Sequence, residues 1–218
     1  MRFPPPERPS SLTARVPAGT DTHEKEHLIP LHDFDFIASR VATGADLPYD
    51  DTAAGDRLAA WTEAGITHVI DNRIEANDEE FVGLLAPEVA YLHNPTDDAG
   101  QRMPDAWFNR GVAFALDALA QPGTKVLSHC HMGINRGPSL AYAILLALGT
   151  DPVEALDALR RARPIANAWY AEDALDWWHR RNGTPDTVRH SDRRRVAAWR
   201  AAHSLDVVRI IADRRRAG

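Results

Sequence analysis

The sequence predicts an α/β fold: a three-layer sandwich whose central, mostly parallel sheet of about four to five strands is flanked by helices. Three observations carry this. Short strand-like runs alternate with longer segments of helical period. Two of the runs, residues 66–71 (ITHVID) and 125–128 (KVLS), read as short buried strands. The segment 139–148 (SLAYAILLAL) is apolar on nearly every side, so it must be a helix enclosed by other elements.

The elements follow in order. Residues 1–27 hold five prolines and almost no apolar periodicity, which predicts a flexible arm. Residues 34–38 and 40–43 predict one or two short strands. Residues 52–64 predict a helix with Leu58, Trp61 and Ala64 on one face and Gly65 as its stop. After the strand at 66–71, residues 78–85 predict a helix, and 89–93 a strand. Residues 104–119 predict a helix striped by Trp107, Phe108, Val112, Ala115 and Leu119. Asp151-Pro152 is a helix start, with the cap before a first-turn proline; this helix runs to about Ala162. Residues 167–180 predict another helix, with Trp169, Trp177 and Trp178 read as core. Residues 193–214 predict a last helix.

Composition excludes some functions. No stretch reaches the ~18 uncharged apolar residues of a membrane span. The N-terminal residues lack the apolar core of a secretory signal. A single cysteine cannot form an internal disulfide, which fits a reducing cytoplasm. The net charge of −6 hides an asymmetry. From Arg180 onward there are eleven Arg and four Asp, a net of +7, so residues 1–179 carry −13. So acidic a body argues against general nucleic-acid binding. The Arg runs at 193–195 and 214–216 read as solvated helix faces.

That single cysteine sits in residues 128–139, SHCHMGINRGPS. A thiol is a useful nucleophile as the thiolate, and helix N-termini and nearby cations favour that form. Here a strand ends at Ser128 and a helix begins around Gly137–Ser139. The loop between would point its N–H groups inward at the positive end of that helix. Gly133 and Gly137 permit close approach, and Arg136 adds a planar fork that matches two phosphate oxygens. A buried core thiol is the bland alternative. A zinc site at His129, Cys130 and His131 is the other, but three consecutive residues rarely converge on one metal. HEKEH at 23–27, with His32 nearby, fits a short zinc-peptidase motif but lies in a polar arm, so no metal is expected there.

HCHMGINRGPS resembles the His-Cys-x-x-Gly-x-x-Arg signature of the cysteine-dependent protein tyrosine phosphatases, closest to the dual-specificity branch. The resemblance extends to YLHNPTDDAGQRMPDAWFNRGVAFALDAL, similar to that family's strand, acid loop and helix. It also covers ALRRARPIANAWYAEDALDWW, similar to its Arg-x-x-Arg-Pro segment and closing helix. It spans about residues 30–180, which implies a phosphatase-like domain at 28–181 followed by a basic helical extension at 182–218. It implies a phosphocysteine mechanism without cofactor or metal, acting on a phosphorylated protein or a small phosphate ester. Cys130 would be the nucleophile, and Asp98, or its neighbour Asp97, the general acid. His131, Met132, Gly133, Ile134, Asn135 and Arg136 would bind phosphate, and His129, with a local hydrogen bond, would support the thiolate. One departure stands out. The family usually has Ser or Thr after the loop arginine, to help expel the sulfur; here Gly137 stands there and Ser139 lies two further on. A slow or purely phosphate-binding site of the same fold follows as the alternative. Asp71, at the end of a buried strand, faces the sheet edge where α/β sites gather.

Overall fold

The computed structural model describes residues 33–217. The N-terminal arm, HEKEH and His32 lie outside the described residues. Strands β1 (Phe34–Ala38) and β2 (Val41–Gly44) form a hairpin; then come α1 (Asp51–Glu63), β3 (His68–Arg73), α2 (Glu79–Leu85), β4 (Ala90–Thr96), α3 (Asp105–Leu119) and β5 (Val126–His129). Helices α4 (Arg136–Ala147), α5 (Pro152–Ala162), α6 (Ala171–Arg181), α7 (Asp186–Ala202) and α8 (Val207–Ala217) follow.

The sheet has five strands in the order β1-β2-β5-β3-β4, parallel except for β1 against β2. Successive side chains of a strand face opposite ways. Val41, Ile70 and Val126 therefore join one core with α3, α4, α5, α6 and α7, while Ala42, Val69 and Leu127 join a second with α1 and α2. This is the expected sandwich. Its centre is α4, whose Leu140, Ala141, Tyr142, Ala143 and Ile144 have no exposed surface. The cap read from the sequence is made: Asp151 accepts from the N–H groups of Val153 and Glu154; Asp50 caps α1 in the same way by accepting from the N–H of Ala53. No helix among the described residues is long and apolar enough to cross a membrane.

Three expectations change. The helix expected at 193–214 is two helices. Asp206 ends the continuity by accepting the N–H of Arg209 on its side chain, so it caps a new helix instead of extending the old one. The helix expected from Asn167 starts at Ala171, because residues 167–170 are used otherwise. Asn167 and Ala168 donate their N–H groups back to the Ile134 carbonyl, with Ala168 at φ 46°. Trp169, read as core, is 57% exposed.

Candidate active site

The parallel strands end together at one edge of the sheet, and the sequence places its chemistry there. Strand β5 ends at His129, helix α4 starts at Arg136, and Cys130 sits buried in the turn between. The turn is held from behind. The Cys130 N–H donates to the Gly44 carbonyl at 3.3 Å, and Asn72 donates to the His129 carbonyl at 2.8 Å. Buried Arg163 donates from Nε to the Gly133 carbonyl at 2.7 Å and from Nη2 to that of Met132 at 3.1 Å. Asp33 and Asp35 fix Arg163 at 2.8 Å each.

The carbonyls of residues 131–135 are thus all engaged. Asp46 N–H reaches the His131 carbonyl, Arg163 takes those of Met132 and Gly133, Asn167 and Ala168 take that of Ile134, and the Ser139 N–H takes that of Asn135. The N–H groups of residues 131–136 donate to no described residue. This polarity is that of an anion cradle at a helix N-terminus. Gly133 is needed for it: its φ is +62°, and a Cβ there would lie 2.5 Å from both the Arg163 guanidinium and the Gly44 backbone.

Arg136 lies buried at the start of α4. Nη1 and Nη2 donate to the Glu75 carboxylate at 2.6 and 2.5 Å, and Nη1 also to the Thr96 carbonyl at 3.2 Å. Nε has no hydrogen-bond acceptor among the described residues; the nearest carboxylate, Asp98, is 3.6 Å away. The guanidinium holds the Glu75 carboxyl down at a pKa of about 2.

Asp98 is fixed beside this fork. Asn135 donates to its carboxylate, and the Tyr170 hydroxyl does so at 3.3 Å. Asp97 instead uses its backbone carbonyl to accept from Gln101. A cleft of about 420 Å³ joins Asp98, Cys130, Ile134 and Arg136 to Trp169 and to the α8 residues Val207, Ile211 and Arg215. Asp97 does not line it.

Two expectations about supporting side chains change. His129 makes no hydrogen bond through its ring: both nitrogens are buried, Asp71 stands 3.9 Å off, and the Trp61 ring packs at 5.4 Å. Burial favours its neutral form and pushes its pKa down. Ser139, placed two residues past the usual hydroxyl, faces away: it donates to the Asn135 side chain at 3.4 Å and accepts the Tyr170 N–H at 3.2 Å. No hydroxyl among the described residues bonds the Cys130 sulfur. Gly137 is tight rather than open. A Cβ there would fall 2.9 Å from the Ser128 oxygen and the His129 carbonyl carbon.

His131 turns toward Asp46, with Nδ1 2.9 Å from Oδ2, while His129 is enclosed behind the loop, so the two histidines do not converge. No three His, Cys, Asp or Glu side chains gather as metal ligands among the described residues. Asp71 is fully buried and holds Arg73, which bridges also to Asp46 at 2.9 Å and Asp78 at 2.5 Å. Glu75, Arg73 and the α8 wall escaped the sequence reading. The signal for Glu75 was its place just past the end of a central parallel strand.

No family model matches the chain. Among curated proteins it is similar to mouse dual specificity protein phosphatase 26, 34% identical over 85 residues, 38% of this chain and 39% of that protein. It is also similar to mouse dual specificity protein phosphatase 2, 26% identical over 156 residues, 70% of this chain and 45% of that protein. The chain thus spans less than half the length of these relatives. Human DUSP28 shares the fold at 18% identity and a TM-score of 0.56, covering 69% of this chain and 95% of that one. So does PTPMT1, solved in complex with PI(5)P, at 22% identity and a TM-score of 0.55, covering 68% and 96%. In sequence the chain is similar to dual specificity protein phosphatases, and its fold is that of solved dual-specificity phosphatase structures.

Proposed function

We propose that the protein is a phosphate-monoester hydrolase, acting on phosphotyrosine and also on phosphoserine or phosphothreonine in proteins through a phosphocysteine. One observation carries this reading. The loop engages the carbonyls of residues 131–135 and leaves six consecutive N–H groups and the Arg136 Nε without acceptors among the described residues, around a buried sulfur. Such donors match the equatorial oxygens of a transferring phosphoryl group.

The steps balance as follows. The Cys130 thiolate attacks phosphorus in line, a P–S bond forms, and the ester P–O bond breaks. Asp98 gives its proton to the leaving oxygen. A water then attacks phosphorus, Asp98 takes its proton, the P–S bond breaks, and phosphate leaves with the thiolate restored. Glu75 aligns the Arg136 fork without consuming its Nε edge. The N–H groups and Arg136 supply the positive charge, so the scheme calls for no metal. Met132, Ile134 and Asn135 put no further cation in the loop, which favours a protein substrate over a polyphosphorylated lipid. A reducing cytoplasm suits a free thiolate nucleophile.

The test is phosphate release from phosphotyrosine and phosphothreonine peptides in EDTA by the wild type, Cys130→Ser and Asp98→Ala. Turnover that survives EDTA, is abolished in Cys130→Ser and falls in Asp98→Ala is the expected result. Gly137 favours one second reading, a phosphate-binding module. Peptide binding without turnover by the wild type would select it.

A further inference from the structure

Helix α8 lies outside the stretch that resembles the phosphatases, yet it forms one wall of the catalytic cleft. Val207, Ile211 and Arg215 recur every fourth residue, so they fall on one face, and all three line the cleft together with Trp169. The helix is seated from its next stripe. Arg214 donates to Asp33, the same carboxylate that holds Arg163 against the loop carbonyls. Its position is therefore tied ionically to the phosphate cradle. Arg215 differs from its neighbours. Arg209 and Arg216 pair with Asp213, and Arg214 with Asp33, whereas Arg215 has no ion pair or hydrogen bond among the described residues. It is an exposed, unpaired cation at the rim of a cleft whose loop has no cation beyond Arg136, on a body carrying −13 over residues 1–179.

We propose that α8 is a substrate-recognition element in which Arg215 binds a second anionic group on a phosphotyrosyl peptide, while Trp169, Val207 and Ile211 flank the aromatic ring. This rests on the phosphatase reading above and narrows its substrate to peptides with an acidic or phosphorylated residue flanking the reacting phosphotyrosine. The apolar wall matches an aryl ring, and the guanidinium matches a carboxylate or phosphate equally well.

The experiment compares kcat/KM for three phosphotyrosine peptides that differ at one flanking position: Gln, Glu or phosphoserine. Para-nitrophenyl phosphate serves as a separate check of wild-type chemistry. The wild type should prefer the Glu and phosphoserine peptides over the Gln peptide by roughly fivefold, less in high salt. Arg215→Ala should bring that ratio close to one and Arg215→Glu should invert it, while Arg216→Ala keeps it. A ratio is insensitive to partial loss of folded enzyme. A ratio near one in the wild type, or one that survives Arg215→Ala, overturns the proposal. So does a preference for a soluble short-chain phosphoinositide over all three peptides that is lost in Arg215→Ala. Failure of the wild type to hydrolyse para-nitrophenyl phosphate would instead overturn the phosphatase reading itself.

Discussion

Arg136 gives both terminal nitrogens of its guanidinium to Glu75, at 2.6 and 2.5 Å, and keeps Nε free of acceptors among the described residues. Glu75 therefore fixes the angle at which the remaining edge of the fork meets a phosphate. Glu75→Gln keeps the shape but cannot accept two charge-assisted bonds. It should lower kcat/KM by about ten- to hundred-fold, since small misplacements of a clamp cost that much. The melting temperature should move little, because Glu75 is substantially exposed. Steady-state kinetics beside a thermal melt checks this; an unchanged kcat/KM would remove Glu75 from the site.

Arg163 governs the same loop from behind. It is buried, pairs with Asp33 and Asp35, and bonds two loop carbonyls. Arg163→Ala leaves the buried Asp33 with Arg214 as its remaining partner and removes the donors to two loop carbonyls, and should cost about 3 kcal/mol of stability. Arg163→Lys should lose activity as well, because a point charge cannot serve two carboxylates and two carbonyls in one plane. Urea unfolding and phosphate release on both variants decide it.

Stability should fall with acid in two stages. Burial keeps His129 neutral in the fold and lowers its pKa. An unfolded histidine takes up a proton near ~6.5, so this stabilisation is complete above that pH and erodes below it. Asp71 gives the second stage. Burial pushes its carboxyl up, but the charge of Arg73 and hydrogen bonds from Arg73 and Tyr91 pull it down. Its folded pKa lies below the unfolded value near ~3.9, so its contribution is present above about pH 4 and is lost as pH falls through the folded pKa. Urea midpoints at pH about 8, about 5 and about 3 should descend in turn. In Asp71→Asn the whole curve should lie lower and the last descent should flatten.

In the proposed mechanism, Gly137 should set the pace of the second chemical step. No hydroxyl among the described residues bonds the Cys130 sulfur, so hydrolysis of the phosphocysteine should be slower than its formation. Rapid-mixing kinetics with para-nitrophenyl phosphate should show a burst of nitrophenol before the steady rate. Gly137→Ser should not repair this. Its Cβ would press on the Ser128 and His129 backbone at 2.9 Å, so the variant should be less stable by about 1–3 kcal/mol. A stable, faster Gly137→Ser enzyme without a burst would show that the tight packing at this position is not what excludes the hydroxyl.

The strands, the buried α4 and the cysteine loop were legible because each is written in local pattern. Alternating elements fix the layers, an all-round apolar segment must be enclosed, and strand–loop–helix with Arg136 describes an anion cradle within a dozen residues. What the sequence hid is non-local. Glu75 reaches Arg136 across 61 positions, and Arg214 reaches Asp33 across 181. Trp169 reads as core by type, but the turn that ties Asn167 and Ala168 to the Ile134 carbonyl rotates it to the cleft. The break before α8 hung on whether Asp206 extends a helix or caps one, a choice that propensity alone leaves open.

The central claim is that Cys130 carries the phosphoryl group during turnover. The direct measurement is mass spectrometry of enzyme quenched in acid during steady turnover of para-nitrophenyl phosphate. With Gly137 slowing the second step, the peptide containing Cys130 should gain one phosphoryl group in the wild type and none in Cys130→Ser. Phosphate release at full rate with Cys130 unmodified, or undiminished release by Cys130→Ser, would contradict the account.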